Sequence, residues 1–224
     1  MKKNSINETT YDYQFLKNKL KEIGDSGTED DKIRLHRAIS WLKCTEENEN
    51  NPDIKFISLW IAFNACYAHD DAHLESFTEK QHFKDFILKL VKHDTQELFF
   101  NILWKKFSGP IRTLIENQYA DKYFWVAQRE NHQNWERSFK STIEKGSRYL
   151  ANQEVDKLLE IVLDRLYTVR NQLLHGGATY KSKVNRAQVK DAGNILSFLM
   201  PVIINIMIEN IDDDWGPIKY PVIS

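Results

Sequence analysis

Apolar residues recur at steps of three and four along much of the chain, the spacing that places them on one face of an α-helix. Two stripes are especially regular, one within residues 153–175 and one within residues 185–211. Their apolar positions are Val155, Leu159, Val162, Leu166, Val169 and Leu173, followed by Ala192, Leu196, Leu199, Ile203 and Ile206. The alternating steps predict two long helices whose stripes pack against partner helices.

Local signals show where these helices end or bend. Gly176 and Gly177 follow the first stripe directly, and glycine is common just after a last helical turn. Pro201 lies inside the second predicted helix, where it removes a backbone donor and is expected to produce a kink. Because the second helix is apolar on its other faces too, we expect it to lie at the centre of the fold.

Shorter helices are predicted in the first half of the chain. One covers residues 30–47, and the next begins around Pro52, a residue that the first helical turn accepts. Residues 75–104 are rich in Phe and Leu and predict one or two further helices. Residues 105–150 have a less regular pattern, and we expect an insertion between the core helices there.

Together these elements predict an all-α fold, a helical bundle with additional helices. One domain is expected to cover residues 30–211, between a flexible polar segment at 1–29 and an extended tail at 212–224. Thr28 and Asp31 form a weak capping box at the first boundary, which is where the first core helix is expected to begin.

Composition agrees with long helices, because the 224 residues include only 8 Gly and 5 Pro, while 42% are hydrophobic. The formal net charge is −1. Proteins that coat nucleic acid are usually strongly basic, so tight non-specific binding to long duplexes is not expected. A local basic site remains compatible with this charge.

The two cysteines, Cys44 and Cys66, indicate neither a disulfide framework nor a cysteine-rich zinc site, and Cys66 is expected to be buried. The most apolar run, residues 195–208, is too short and too interrupted for a confident membrane span and is expected to be a buried helix. No secretory signal is visible at the start. The sequence therefore predicts a cytoplasmic protein with no membrane association.

The residues that carry chemistry lie in YTVRNQLLHGG, residues 167–177. At 100° per residue, Arg170 lies about 60° round the helix from Leu173, at the edge of the apolar stripe. Asn171 and His175 lie at about 160° and 200° and form an i, i+4 pair. Arg170, Asn171 and His175 thus belong to a second, mixed face that begins at the edge of the stripe.

Two leucines and a tyrosine lie between Arg170 and Asn171 on this face, namely Leu163, Leu174 and Tyr167, at about 80°, 100° and 120° from the stripe. A fully solvated face has no need of two leucines, whereas a second, partly polar interface does. This mixed face therefore predicts a homodimer in which the polar residues of the two copies meet.

The chemistry of the three polar residues suits RNA cleavage by attack of a ribose 2′-hydroxyl. That reaction needs a base, an acid and a cation for the phosphate. Histidine serves as acid or base near neutral pH, so His175 is the candidate for proton transfer. Arginine stays charged and grips phosphate with a planar fork, so Arg170 is the candidate phosphate ligand. Asn171 is expected to orient the imidazole or bond a phosphate oxygen. Such a scheme requires no metal and no cofactor.

The motif R-N-x-x-x-H near the end of a long amphipathic helix resembles the signature of the HEPN superfamily. The residues around the motif, LYTVRNQLLHGG, also resemble those found in such proteins. FISLWIAFNACYA, residues 56–68, is similar to an early core helix of some prokaryotic members. The resemblance implies a helical bundle that dimerises and pairs two R-x-x-x-x-H motifs in one cleft. It also implies metal-independent endoribonuclease activity, often in toxin–antitoxin or anti-phage systems.

A cognate antitoxin is a further partner that the resemblance implies. One subgroup of HEPN toxins has a tyrosine two residues after the histidine, which a nucleotidyltransferase antitoxin modifies. Here that position is Gly177, and the nearest tyrosine is Tyr180, so regulation by that route is not expected.

Other residues have two interpretations. Lys181, Lys183, Arg186 and Lys190 follow the motif and either guide an RNA backbone, with Tyr167 beside them, or form an ordinary solvated loop. The segment HDDAH places His69 and His73 four residues apart, but a polar helix end is favoured over a metal site. An inactive bundle that binds a nucleotide, an RNA or a protein is the alternative to a nuclease.

Overall fold

The computed structural model describes residues 11–68, 76–130, 134–181 and 186–222. Across these ranges the chain is helical and contains no β-strand, so the predicted all-α class is confirmed. The described α-helices are α1 (Tyr13–Glu22), α2 (Glu29–Glu47), α3 (Pro52–Tyr67), α4 (Ser76–His93), α5 (Leu98–Phe100), α6 (Ser108–Glu116), α7 (Lys122–Glu130), α8 (Trp135–Asn152), α9 (Val155–Leu174) and α10 (Arg186–Glu209). A π-helical turn continues α5 at Asn101–Lys106, and a 3-10 turn at Gln118–Ala120 precedes α7.

The helix starts follow the sequence signals. Thr28 is the N-cap of α2, and its hydroxyl accepts a hydrogen bond from the backbone N–H of Asp31 at 3.1 Å. Pro52 stands in the first turn of α3, where its missing N–H leaves no helical bond unmade. Asn51 caps the same helix by accepting from the N–H of Ile54. These caps explain why the chain re-enters a helix so soon after α2 ends.

The core lies between α2, α3 and α10 on one side and α9 with its neighbours on the other. The second long helix is central as expected, because Leu196, Leu199 and Ile203 are fully buried. By length and composition alone its segment Ala187–Glu209 could cross a membrane, with mean hydropathy 1.6, and 72% of that apolar window is buried within the fold. Its apolar character is thus matched by the helices around it.

The expectation of a flexible polar segment at residues 1–29 is wrong for its described part. Residues Tyr13–Glu22 form α1, which packs against α2 and α10 and buries Leu16 completely. Asp12 caps this helix by accepting from the N–H of Phe15, and Lys19 pairs with Glu209 at the end of α10. Leu16, the partly buried Tyr13 and Leu20 and the polar contacts hold α1 in place, and so few apolar positions do not produce a long stripe in the sequence.

The C-terminal segment has no regular secondary structure after α10, but it is packed rather than free. Trp215 and Ile218 are 3% and 5% exposed. Arg34 of α2, itself fully buried, donates to the carbonyl of Trp215 at 2.6 Å, to that of Gly216 and to that of Cys66 at 3.3 Å. Burial lowers the pKa of Arg34, and the carboxylate of Asp31 partly offsets this effect. Arg34 therefore ties the C-terminal segment to α2 and α3.

Cys66 is buried as the sequence predicts, and its burial raises the pKa of the thiol to about 12. The thiol is therefore kept in its neutral form and acts as a small apolar group in the core. Cys44 is partly buried and lies within hydrogen-bond range of the Ser58 hydroxyl, at 3.3 Å.

The region expected to be irregular, residues 105–150, is largely helical where it is described. It forms α6, α7 and most of α8, and both α6 and α8 pack against α9. Gly146 lets α8 approach α6 closely, since a Cβ at that position would lie 3.1 Å from two carbons of Ile115. Its polar, aromatic-rich composition reflects a helical layer that covers α9 on one side and meets solvent on the other.

Candidate functional site

The motif residues lie at the C-terminal end of α9. His175 caps the helix, and its backbone N–H donates to the carbonyl of Asn171 at 3.0 Å. The chain then turns through Gly176, whose φ is +75°, and the N–H of Gly177 returns to the carbonyl of Gln172 at 2.7 Å. The N–H of Gly176 returns to Leu173 in the same way, which completes a Schellman ending. The Gly-Gly pair therefore sets the position of His175.

Arg170 is oriented by its immediate neighbours. Its Nη1 donates to Oδ1 of Asn171 at 2.7 Å, and its guanidinium lies 5.8 Å from the ring centroid of Tyr167. The buried Nε atom has no hydrogen-bond partner among the described residues. The side chain is thus only partly buried and partly satisfied, and it retains donors for an oxygen-rich ligand.

His175 is exposed to solvent, and within the described part of the chain its imidazole has no hydrogen-bond or ion-pair partner. The imidazole is therefore accessible to a ligand that binds at this end of the helix. Asn171 accepts a hydrogen bond from Arg170 in this structure, a contact that differs from the two roles expected for it, orientation of the imidazole and bonding of a phosphate oxygen.

Tyr167 forms the outer edge of the site. Its side chain is 46% exposed, and its ring lies 6.0 Å from that of Trp60, a buried residue of α3. Leu174, at the other end of the same exposed strip, is 47% exposed. An aromatic and an aliphatic residue therefore remain in solvent on either side of the polar motif.

One member of the expected second face does not lie there. Leu163 is fully buried, whereas the sequence places it on a mixed surface with Tyr167 and Leu174. The reason is that α9 is covered on more than its apolar stripe, since α3, α4, α6, α8 and α10 all pack against it. The exposed mixed face is therefore confined to the last two turns of the helix.

The loop after the motif is attached to the start of α3. The hydroxyl of Tyr180 accepts from Nδ2 of Asn51 at 2.9 Å, and the backbone N–H of Lys181 donates to Asp53 at 3.2 Å. The side chain of Lys181 is exposed. Lys183 lies outside the described residues, and Arg186 begins α10 with a side chain that is not described, so the described side chains of the expected basic path are those of Lys181 and Lys190, both exposed.

A contact that the sequence did not indicate joins α9 to the turn before α7. Gln172, the residue after Asn171 in the motif, donates from its Nε2 to the backbone carbonyl of Tyr119. Nearby, Lys122 pairs with Asp164 at 2.7 Å. Burial opposes the charge of Lys122, but the charge and hydrogen bond of Asp164 outweigh it and raise the pKa of the lysine. Periodicity marks Gln172 only as a polar position and cannot identify its partner.

Residues His69, Asp70, Asp71 and His73 lie outside the described part of the chain. Among the described residues, no group of three or more His, Cys, Asp or Glu side chains is arranged to hold a metal ion.

No family model, curated protein or solved structure matches the chain. The resemblance to HEPN proteins therefore remains a prediction from the motif.

Proposed function

We propose that the protein is a metal-independent endoribonuclease of HEPN type that acts as a homodimer. The observation that carries the proposal is that Arg170, Asn171 and His175 lie at the exposed end of a helix whose apolar stripe is packed in the core. A core helix fixes the backbone of these residues, while the side chain of His175 is exposed and those of Arg170 and Asn171 are partly exposed. Preorganised groups of this kind are what a phosphoryl-transfer site requires.

Arg170 is the residue proposed to bind the scissile phosphate. Its bond to Asn171 and its position over the Tyr167 ring restrict the guanidinium before any substrate arrives. A planar, permanently charged fork that is already oriented loses little freedom when it takes two phosphate oxygens. Asn171 is a positioning residue in this scheme, since it acts through the arginine.

His175 is the residue proposed to transfer protons. The 2′-hydroxyl of the ribose attacks the adjacent phosphorus and gives its proton to a base, and the 5′-oxygen leaves with a proton from an acid. The products are a 2′,3′-cyclic phosphate and a free 5′-hydroxyl. The imidazole of His175 is exposed and accessible to a bound substrate, and a histidine can serve in either role.

The dimer follows from the number of groups required. One protomer contributes a single R-N-x-x-x-H motif, and the reaction needs both a base and an acid. A two-fold axis beside the motif supplies a second histidine and a second arginine. Tyr167 and Leu174 offer the exposed apolar contacts for such an interface, each nearly half accessible in one protomer.

Cytoplasmic localisation, a role in toxin–antitoxin or anti-phage defence and a cognate antitoxin form part of the same proposal through the HEPN resemblance. They are supported by the motif rather than by any contact in the fold.

Cleavage of RNA by single-residue variants tests the proposal. His175→Ala and Arg170→Ala should each abolish cleavage while the helical circular dichroism signal and the dimer persist. His36→Ala is the matched control, because His36 is an exposed histidine on α2, and it should cleave like wild type. Full activity in His175→Ala would overturn the assignment.

A binding module is the second candidate, and the engagement of Arg170 favours it. The guanidinium already bonds Asn171 and lies over Tyr167, an arrangement that also holds a phosphate without turnover. The net charge of −1 agrees with a small ligand rather than a long RNA. This candidate predicts measurable nucleotide or RNA binding without cleavage, with weaker affinity in Arg170→Ala.

A further inference from the structure

Tyr119 is an exposed aromatic residue next to the motif. Its side chain is 42% exposed, although the sequence gives no reason to separate it from core aromatics. It lies in the 3-10 turn Gln118–Ala120, which packs against α9. The side chain of Gln172 donates to the backbone carbonyl of Tyr119. Gln172 lies three residues before His175, so the side chains of Gln172 and His175 occupy neighbouring positions on the helix surface.

The backbone that carries the Tyr119 ring is unusually well fixed for an exposed turn. Its N–H donates to Oδ1 of Asn117 at 3.0 Å, and its carbonyl accepts from Nε1 of Trp125 at 2.8 Å as well as from Gln172. The ring itself meets Phe124 edge-on, with centroids 5.4 Å apart. An aromatic side chain ordered in this way binds a ligand at a low entropic cost.

The same turn is locked to α9 by charge. Asp121 caps α7 by accepting from the N–H groups of Tyr123 and Phe124, and it forms a buried ion pair with Arg165. Arg165 lies seven residues before Gln172 and hence on the same face of α9. The turn that carries Tyr119 is therefore joined to the motif helix at both positions.

Helical geometry places His175 and Asn171 between the Tyr119 turn and Tyr167. Going round the end of α9 from Gln172, His175 follows at about 60°, Asn171 at about 100°, Tyr167 at about 140° and Arg170 at about 200°. Tyr119 thus stands on the histidine side of the motif, and Tyr167 stands on the arginine side. A strand whose phosphate sits at the motif therefore passes the Tyr119 turn on its histidine side.

We propose that Tyr119 is a stacking platform for an unpaired base next to the scissile phosphate, which makes single-stranded RNA the substrate class. The proposal rests on the proposed function for the position of the phosphate. A paired base is already stacked on its neighbours, and only an unstacked base can turn toward a protein ring. Stacking on a tyrosine accepts any base, so the platform selects for single strands rather than for one sequence.

Binding of a fluorescent single-stranded 2′-O-methyl RNA oligonucleotide tests the platform separately from cleavage, because the blocked 2′-oxygen cannot attack. Tyr119→Ala should weaken binding about tenfold, the size expected for one stacked base. Tyr119→Phe retains the ring and should bind like wild type. Tyr220→Ala removes a tyrosine that is 71% exposed on the C-terminal segment, and it should also bind like wild type.

Thermal melting by circular dichroism shows that each variant is folded, and a blunt duplex of the same sequence should bind wild type more weakly than the single strand. With cleavable RNA, Tyr119→Ala should raise KM and leave kcat within a few-fold.

Unchanged binding and KM in Tyr119→Ala would overturn the platform, even if wild type cleaves RNA. Binding that depends on Tyr119 in a protein that cleaves no RNA would retain the platform and overturn the nuclease. A wild-type protein that binds no oligonucleotide would overturn both.

Discussion

Arg165 and Asp121 form an ion pair in which the side chains are only 1% and 2% exposed. The guanidinium also donates to the carbonyls of Ala120 and Ile115, at 3.4 and 3.3 Å. Arg165 lies five residues before Arg170 on α9, so the helix that presents the motif is anchored by a buried charge pair. The pair joins the site to the layer formed by α6 and α7.

Breaking this pair from one side should strongly destabilise the fold. Arg165→Met leaves the Asp121 carboxylate buried without its partner, which should cost about 3–5 kcal/mol of unfolding free energy in urea titrations. Lys43→Met, which removes an exposed pair with Glu47, is the control and should unfold close to wild type. A wild-type midpoint for Arg165→Met would show that the pair contributes little.

Arg34 anchors the C-terminal segment in a comparable way. Arg34→Met leaves the carbonyls of Trp215, Gly216 and Cys66 without their donor, and each lost partner in a buried place costs about 1–3 kcal/mol. We expect a large fall in thermal stability and faster proteolysis after α10. Arg37→Met removes an exposed hydrogen bond to the carbonyl of Tyr220, and the C-terminal segment of this variant should be proteolysed at the wild-type rate. Equal proteolysis of the two variants would contradict this role for Arg34.

These two arginines mark the limit of sequence-based prediction. The stripes in α9 and α10 are predicted to within a few residues, because helical burial repeats every three or four positions. A buried charge has no such period. The partners of Arg34 lie as far away as Trp215 and Gly216, and Asp121 lies 44 residues from Arg165, so only the folded chain shows that these cations are in the core.

For the proposed site, residue type and spacing indicate the candidate residues but not what surrounds them. Arg170 and His175 stand out because their residue types and spacing suit phosphate chemistry. Tyr119 and Gln172 do not, because a lone tyrosine and a lone glutamine have many possible partners. The prediction that Leu163 lies on the exposed mixed face is wrong, because a helical wheel cannot show that α3, α4, α6, α8 and α10 pack against α9.

Gly177→Ala should damage the site more than the fold. A Cβ there would lie 2.9 Å from the carbonyl of Gln172, so the turn that positions His175 must shift. We expect a loss of about 1–2 kcal/mol in stability and a fall in RNA cleavage of at least about tenfold. Gly109→Ala adds a Cβ in open space and should leave both quantities close to wild type. Wild-type activity in Gly177→Ala would show that RNA cleavage does not depend on the conformation of this turn.

Asp213 should make stability depend on pH in the acid range. Its hydrogen bond with His93, at 2.6 Å, lowers the pKa of the carboxyl, and Lys89 and the N–H of Asp214 act in the same direction against burial. Because the folded pKa is lowered, the stabilisation is complete above about pH 5 and is lost as pH falls through the lowered value.

Asp213→Asn should therefore be less stable than wild type near neutral pH, by less than about 1 kcal/mol because the pair is partly exposed. The difference should disappear in strong acid. Denaturant midpoints measured from neutral to acid pH give both curves, with Asp25→Asn, an exposed residue, as the control. A constant difference at every pH would rule out this origin for the effect.

Cleavage of RNA in excess EDTA, with the product ends identified for wild type and His175→Ala, tests the proposed activity most directly. The account predicts that wild type cleaves despite the chelator and leaves 2′,3′-cyclic phosphate and 5′-hydroxyl ends, and that His175→Ala gives no product. Cleavage that stops with EDTA, or that continues without His175, would contradict it.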